Sequence, residues 1–196
     1  HVQHGIVATC HIEDYERGRI RIHEKTRRTK EEDRIRYVDT QNANTGPVFL
    51  AYRDSAKINA LVDAVTSSEP LYDFTAEDGV AHTVWRFGRS AGLEAAFAGI
   101  PNTYVADGHH RSASAAKVGA MRRAANPNHV GDEPYNWFLA VLFPQSELKI
   151  LPYNRVVLSL PGTKADFRQA LAGRFGVEEN GVAEPRRAGE ICMYLD

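Results

Sequence analysis

Asp107-Gly108-His109-His110-Arg111 puts an acid, a residue without a side chain, two imidazoles and a guanidinium into five consecutive positions. The run lies between an apolar stretch, Thr103-Tyr104-Val105-Ala106, and a run of small residues, Ser112-Ala113-Ser114-Ala115-Ala116. That order predicts a strand turning straight into a helix. The first amides of a helix have no internal acceptor, and with the macrodipole they attract anions. Gly108 lets a phosphate approach the backbone, and Arg111 can hold it through two parallel hydrogen bonds. His109 and His110 can donate to the same oxygens or exchange protons near neutral pH, which makes His110 a candidate catalytic group as well as a ligand. Asp107 can take a hydroxyl proton, orient a histidine or hold a metal ion. The same residues also make an ordinary helix start, with Asp107 as N-cap and His-His-Arg as a solvated first turn. Adjacent histidines face different sides of a helix, so a metal shared between them is not expected.

A second concentration of chemistry runs from Arg17 to Arg36. It holds nine basic residues against four acidic ones, in a chain whose net charge is −1. Within it, His23-Glu24-Lys25-Thr26-Arg27 pairs cations that attract a polyphosphate with Glu24, a candidate general base. For most of these arginines and lysines the plainer reading is favoured: a strand edge guarded by charge, then a helix with surface ion pairs. No aromatic platform is interleaved with the charges, as single-stranded nucleic acid would require. His11-Ile12-Glu13-Asp14 has ligand-type residues but reads better as a strand end with surface acids. Asn42-Ala43-Asn44-Thr45-Gly46-Pro47 reads as a polar loop. Trp85 and Trp137 are expected in the core, and Cys10 buried and inert. There is no Gly-x-Ser-x-Gly elbow, no phosphate-binding Gly-x-x-x-x-Gly-Lys loop and no Rossmann fingerprint.

These residues must be held by a fold. Strands are expected at 5–12, 19–22, 47–52 and 102–106, at 135–143, and finally at Gly189–Leu195. Leu71–Ala76 and Val80–Phe87 flank Asp78-Gly79, a hairpin signal. Thr29 and Glu32 fit a capping box for a helix from about Lys30. Ile58, Leu61, Val62 and Val65 form one helical face behind Ser55, a plausible N-cap. Ser90 is placed to cap a short helix through Leu93, Ala96 and Phe97, ended by Gly99 and Pro101. The helix after Gly108 should run from His109 to Ala125 and stop at Pro127. Thr163 and Asp166 announce another, with Phe167, Leu171 and Phe175 as its buried stripe. Interleaved helices and strands, with hairpins among them, imply an α+β fold: a mixed sheet flanked by helices.

Bulk properties exclude several classes. The chain has 196 residues, 43% hydrophobic and 25% charged, close to the globular average. No apolar run approaches the roughly 18 residues a membrane span needs, and no signal-peptide pattern is present. Two cysteines, Cys10 and Cys192, are too few for a disulfide framework, so a reducing, cytoplasmic setting is expected. The sequence opens at His1 and closes at Asp196, with apolar stretches near both ends, which reads as a segment of a longer protein. A break near 145–162 divides a core, 1–145, from a C-terminal α/β lobe, 146–196.

Several motifs occur in order: Gly5-Ile6-Val7-Ala8, Asp14-Tyr15, His23-Glu24-Lys25-Thr26-Arg27, Lys30-Glu31-x-Asp33-Arg34, Gly46-Pro47-Val48-Phe49, Asp107–Arg111 and Leu151-Pro152-Tyr153-Asn154-Arg155. Together they resemble a large bacterial and archaeal family of domains of unknown function, whose members carry a helix-turn-helix superfamily label and are longer than this chain. No convincing recognition helix is visible here. More distantly, the Asp107–Arg111 junction is similar to the nucleotide motif of the ParB/sulfiredoxin superfamily, which includes free serine kinases and the CTP-dependent DNA clamp ParB. That resemblance implies a ParB/sulfiredoxin-like core in which Gly108, His109, His110 and Arg111 hold the phosphates of ATP, ADP or another nucleotide. Lys25 and Arg27 add charge beside them. Asp107 stands at the reacting centre with Mg2+. His23-Glu24 is similar to the acidic motif whose glutamate activates the serine hydroxyl in those kinases, although Lys25 stands where they tend to have another acid. Sulfiredoxin needs a cysteine at this junction, and His109-His110 stands there instead, so reductase chemistry is rejected. The implied function is phosphoryl transfer to a small hydroxyl substrate such as free serine. The rival is a nucleotide-gated DNA-binding or regulatory protein of the ParB type.

Overall fold

The computed structural model describes residues 1–88, 91–151 and 153–195. By contacts the chain divides into two compact units, His1–Leu148 and Lys149–Asp196.

The first unit is built on a five-stranded mixed sheet. Its strands are β1 (Ile6–His11), β2 (Ile20–Arg21), β3 (Val48–Tyr52), β6 (Thr103–Asp107) and β7 (Trp137–Pro144), in the order β1-β7-β3-β6-β2. β1 runs antiparallel to β7 and β3 antiparallel to β6, while β7–β3 and β6–β2 are parallel. The helices are α1 (Ile12–Glu16), α2 (Arg28–Gln41), α3 (Ala56–Thr66), α4 (Ala91–Phe97) and α5 (His109–Ala125). Alternation in β3 and β7 sends Val48, Leu50, Tyr52, Phe138, Ala140 and Leu142 into one core with Val105, Ile12 and Ile58. Ala115 and Ala116 of α5 join that core, and Gly119 has no room for a Cβ, which would lie 2.5 Å from the Tyr135 carbonyl oxygen and against Ile12 Cδ1. Small residues therefore let α5 lie close to its neighbours.

The helix after Gly108 spans the residues its sequence predicts, and Ser55 caps α3 by accepting from the Ile58 amide at 3.4 Å. Tyr72–Thr75 (β4) and Ala81–Val84 (β5) form the expected hairpin, as a separate two-stranded sheet. Ser90 lies outside the described residues.

Four expectations need correction. The Thr29 capping box does not form: α2 begins at Arg28, its N-cap position is Arg27, and no side chain caps it. Thr26 reaches Glu31 instead. The strand expected to run to Ile12 ends at His11, whose imidazole accepts from the Glu13 amide at 3.2 Å and starts α1. Trp137 is 36% exposed on the side of β7 away from the core, and Trp85 is half-buried with its Nε1–H donated to the Ser68 carbonyl at 3.1 Å. Finally, among its described residues the second unit holds one regular element, α6 (Lys164–Ala172), started by the expected Thr163–Asp166 capping box. It buries none of its residues; Phe175 is 55% exposed, and no strand forms among the described residues of Gly189–Leu195. Among the described residues no helix is long and apolar enough to cross a membrane.

Candidate functional site

β6 delivers the chain to Asp107, and Gly108 turns it into α5 with φ +98°, ψ 29°. That left-handed conformation favours glycine, and it makes Gly108, with no capping side chain, the N-cap in place of Asp107. Asp107 instead accepts from Arg111 Nη2 at 2.7 Å. The guanidinium folds back over Gly108: a Cβ there would sit 3.0 Å from both Nε and Nη2. Arg111 Nε is shielded from solvent yet donates to no acceptor. A shielded donor of this kind is suited to an anionic acceptor. The amides of His109, His110 and Arg111 likewise find no acceptor among the described residues, whereas the Ser112 amide returns to the Gly108 carbonyl at 2.9 Å. Ser112 Oγ donates to the carbonyls of Gly108 and His109, and Ser114 Oγ to that of His110 at 2.6 Å. These bonds pin the first turn from behind.

The two histidines hold the segment between β2 and α2 against this turn. His109, only 6% exposed, accepts from the His23 amide through Nε2 at 3.4 Å and meets the His23 ring edge-on at 4.4 Å. Its proton then sits on Nδ1, which faces Glu24 Oε2 at 4.0 Å. Burial first, and His23 second, push the His109 pKa down; Glu24 and Asp107 oppose the shift. A neutral ring is what the Nε2 acceptor role requires. His110 accepts from the Arg27 amide through Nε2 at 3.2 Å. It thereby satisfies the amide at the start of α2 that no side chain of that helix caps, and its Nε2 is committed as an acceptor.

α2 is fastened to α5 by charge. Buried Glu31 pairs with Lys117, and Asp39 accepts from Arg122 at 2.9 and 3.1 Å. Hydrogen bonds from Lys117 and Thr26 hold the Glu31 carboxyl below the usual range.

A cavity of about 420 Å³ opens between these elements. Asp107, Gly108, His109, His110 and Arg111 line one side, and Glu24 stands at its wall. Lys30, Asp33 and Arg34 of α2 also line it. Lys25 and Arg27 are not among the lining residues. Across the basic segment the cations sort into two sets. Arg17, Arg19, Arg28 and Arg36 pair with Glu13, Asp14, Glu32 and Asp33, and Arg21 donates to Asn102 at 3.0 Å. Lys25, Arg27, Lys30 and Arg34 have no carboxylate partner among the described residues; Arg34 lies 6.0 Å from the Tyr37 ring. The contribution of Lys30 and Arg34 was visible in sequence only as an i, i+4 pair of cations. The Asn42–Pro47 loop also comes near, since a Cβ on Gly46 would touch Arg111 Cδ at 3.5 Å.

A family model described as "Protein of unknown function (DUF1015)" matches residues 1–196. The chain belongs to the DUF1015 family. No curated protein and no solved structure matches it. Glu24, Lys30, Asp33, Arg34 and Asp107–Arg111, all from stretches singled out in the sequence, share one cavity.

Proposed function

We propose that this protein binds a nucleotide and transfers a phosphoryl group to a small hydroxyl substrate. The observation that carries the reading is Arg111 Nε, shielded and without an acceptor among the described residues, beside three helix amides likewise without one, in a cavity also lined by Lys30 and Arg34. Amides and guanidinium together suit phosphate oxygens. The likeness of Asp107–Arg111 to the ParB/sulfiredoxin nucleotide motif supports the same assignment.

In phosphoryl transfer the protein mostly positions groups and neutralises charge. The α5 amides and Arg111 would hold the phosphates, with Lys25 and Arg27 adding longer-range attraction. Glu24, exposed and turned toward His109, would accept the hydroxyl proton. His109 and His110 position the Glu24 segment, since each holds one of its flanking amides. Among the described residues no three His, Cys, Asp or Glu side chains converge to hold a metal by themselves. Magnesium is commonly held by one or two carboxylates together with substrate phosphates, and Asp107 can be that carboxylate once it releases Arg111. When bound, the ion neutralises phosphate charge.

Free serine is the first acceptor to try, from the likeness of His23-Glu24 to the serine-kinase motif. The full chain is incubated with magnesium, ATP or ADP, and serine, and phosphoserine is measured. Absence of product with every nucleotide, together with nucleotide binding that Arg111→Ala leaves unchanged, removes the proposal. A second reading, a nucleotide-gated DNA-binding protein, draws on Lys25 and Arg27, unpaired yet outside the cavity lining. A steep fall in DNA affinity with salt would favour it.

A further inference from the structure

The cavity at the start of α5 is unusual for a nucleotide site in what it lacks. Ligand pockets are mostly apolar and aromatic, with a few polar groups that fix orientation. Here the lining side chains comprise three carboxylates, three cations and two histidines, with Gly108. Among the described residues no aliphatic side chain and no Phe, Tyr or Trp contributes to it. Of the two histidines, His109 is only 6% exposed and packed edge-on to His23, and His110 is anchored through Nε2 to the Arg27 amide. Cations, in contrast, stand on two walls. Arg111 lies on the α5 side; Lys30 and Arg34, one helical turn apart on α2, lie on the other. The latter two are exposed and have no carboxylate partner among the described residues, while their helix neighbours Arg28 and Arg36 are each paired with a carboxylate.

Resting on the phosphoryl-transfer reading, we infer that the site recognises its donor by the phosphate chain alone, so that inorganic tripolyphosphate serves in place of a nucleoside triphosphate. Lys30 and Arg34 are the residues that would distinguish a chain of phosphates from a single phosphate held at the α5 end. With tripolyphosphate the step balances without any nucleoside. The acceptor oxygen forms a bond to the terminal phosphorus, and the bridging P–O bond breaks. Its electron pair leaves with pyrophosphate, and the hydroxyl proton passes to Glu24 and then to solvent.

The test uses the full chain with magnesium and compares ATP, GTP, tripolyphosphate, inorganic phosphate and adenosine by calorimetry, with transfer to serine followed by phosphorus NMR. ATP, GTP and tripolyphosphate are expected to bind within about tenfold of one another, adenosine not at all, and tripolyphosphate to yield phosphoserine. Lys30→Gln with Arg34→Gln should weaken ATP and tripolyphosphate alike by about tenfold while changing inorganic phosphate by less than about threefold, as befits two exposed charges. Both positions are on the surface, and an unchanged melting temperature confirms that the variant folds. ATP binding about a hundredfold tighter than tripolyphosphate, a variant that binds tripolyphosphate normally, or phosphoserine formed from ATP but never from tripolyphosphate would each overturn the inference. Equal binding of all three chains with no transfer from any donor would instead defeat phosphoryl transfer and uphold recognition through the phosphates. Failure of every phosphate compound to bind would overturn both.

Discussion

Replacing Gly108 by alanine separates the backbone requirement at the start of α5 from its effect on the anion site. The residue sits at φ +98°. An L side chain in a left-handed conformation costs roughly 1–2 kcal/mol. For a chain of this size each kcal/mol lowers the melting temperature by about 2–4 °C, so Gly108→Ala should melt about 2–8 °C lower. The added methyl also meets Arg111, at 3.0 Å from Nε and Nη2 and 3.2 Å from Cζ. The guanidinium must move, yet its Nη2 is tied to Asp107. Losing one charge-assisted hydrogen bond to a phosphate costs about 1.5–3 kcal/mol, or on the order of 10- to 100-fold in affinity. Gly131 supplies the control: its φ is +106°, and nothing lies within 4 Å of its would-be Cβ. Gly131→Ala should lower the melting temperature similarly and leave ligand affinity alone. Thermal unfolding and calorimetry with ATP and tripolyphosphate read both effects. If the two variants change affinity equally, or Gly108→Ala leaves it unaltered, Arg111 is not the group that the turn at Gly108 exists to seat.

Gly119→Ala tests the close seating of α5. Alanine gains about 1 kcal/mol in helix propensity, but overpacking costs about 1–3 kcal/mol; because the obstacle at 2.5 Å is the Tyr135 backbone carbonyl, the change should destabilise, seen as a lower urea midpoint. His109, held below its ordinary 6.5 in the fold, contributes stability that is present above that value and lost as pH falls through its lowered folded one. The urea midpoint should therefore drop on acidification below about pH 6.5, and His109→Gln should flatten the drop; an unchanged slope refutes the assignment. Burial, aided by Asp14, pushes the Cys10 thiol up to about 12. Ellman's reagent should modify exposed Cys192 quickly and half-buried Cys10 far more slowly, a pattern that Cys192→Ser isolates.

The site was partly legible because local rules govern part of it. A short apolar strand, a glycine and a run of small residues suffice to predict the β6–α5 junction, and the structure supplies that turn through a positive φ at Gly108. The second wall was not legible in the same way. α2 has no apolar stripe to announce its docked face; it is held by Glu31–Lys117 and Asp39–Arg122, pairs distant in sequence. The Thr29 capping signal failed because the helix already starts at Arg28, and the Arg27 amide is taken by His110, from outside the local sequence. The strand expected at Gly189–Leu195 has the right composition, but composition cannot provide the neighbouring strand whose hydrogen bonds a strand needs.

What the sequence by itself determined is the alternation that makes a mixed sheet, the extent of α5, and a helix start rich in groups suited to an anion. Only the tertiary structure decided which charges would meet there. Periodicity and propensity act over a few residues, whereas pairing of α2 with α5 and the parallel seating of β2 on β6 set distances between residues some eighty positions apart. Whether a lysine is left unpaired beside a cavity or neutralised on a helix face follows from that packing, because a charge responds to whatever lies within a few ångströms of it and not to its neighbours in the chain.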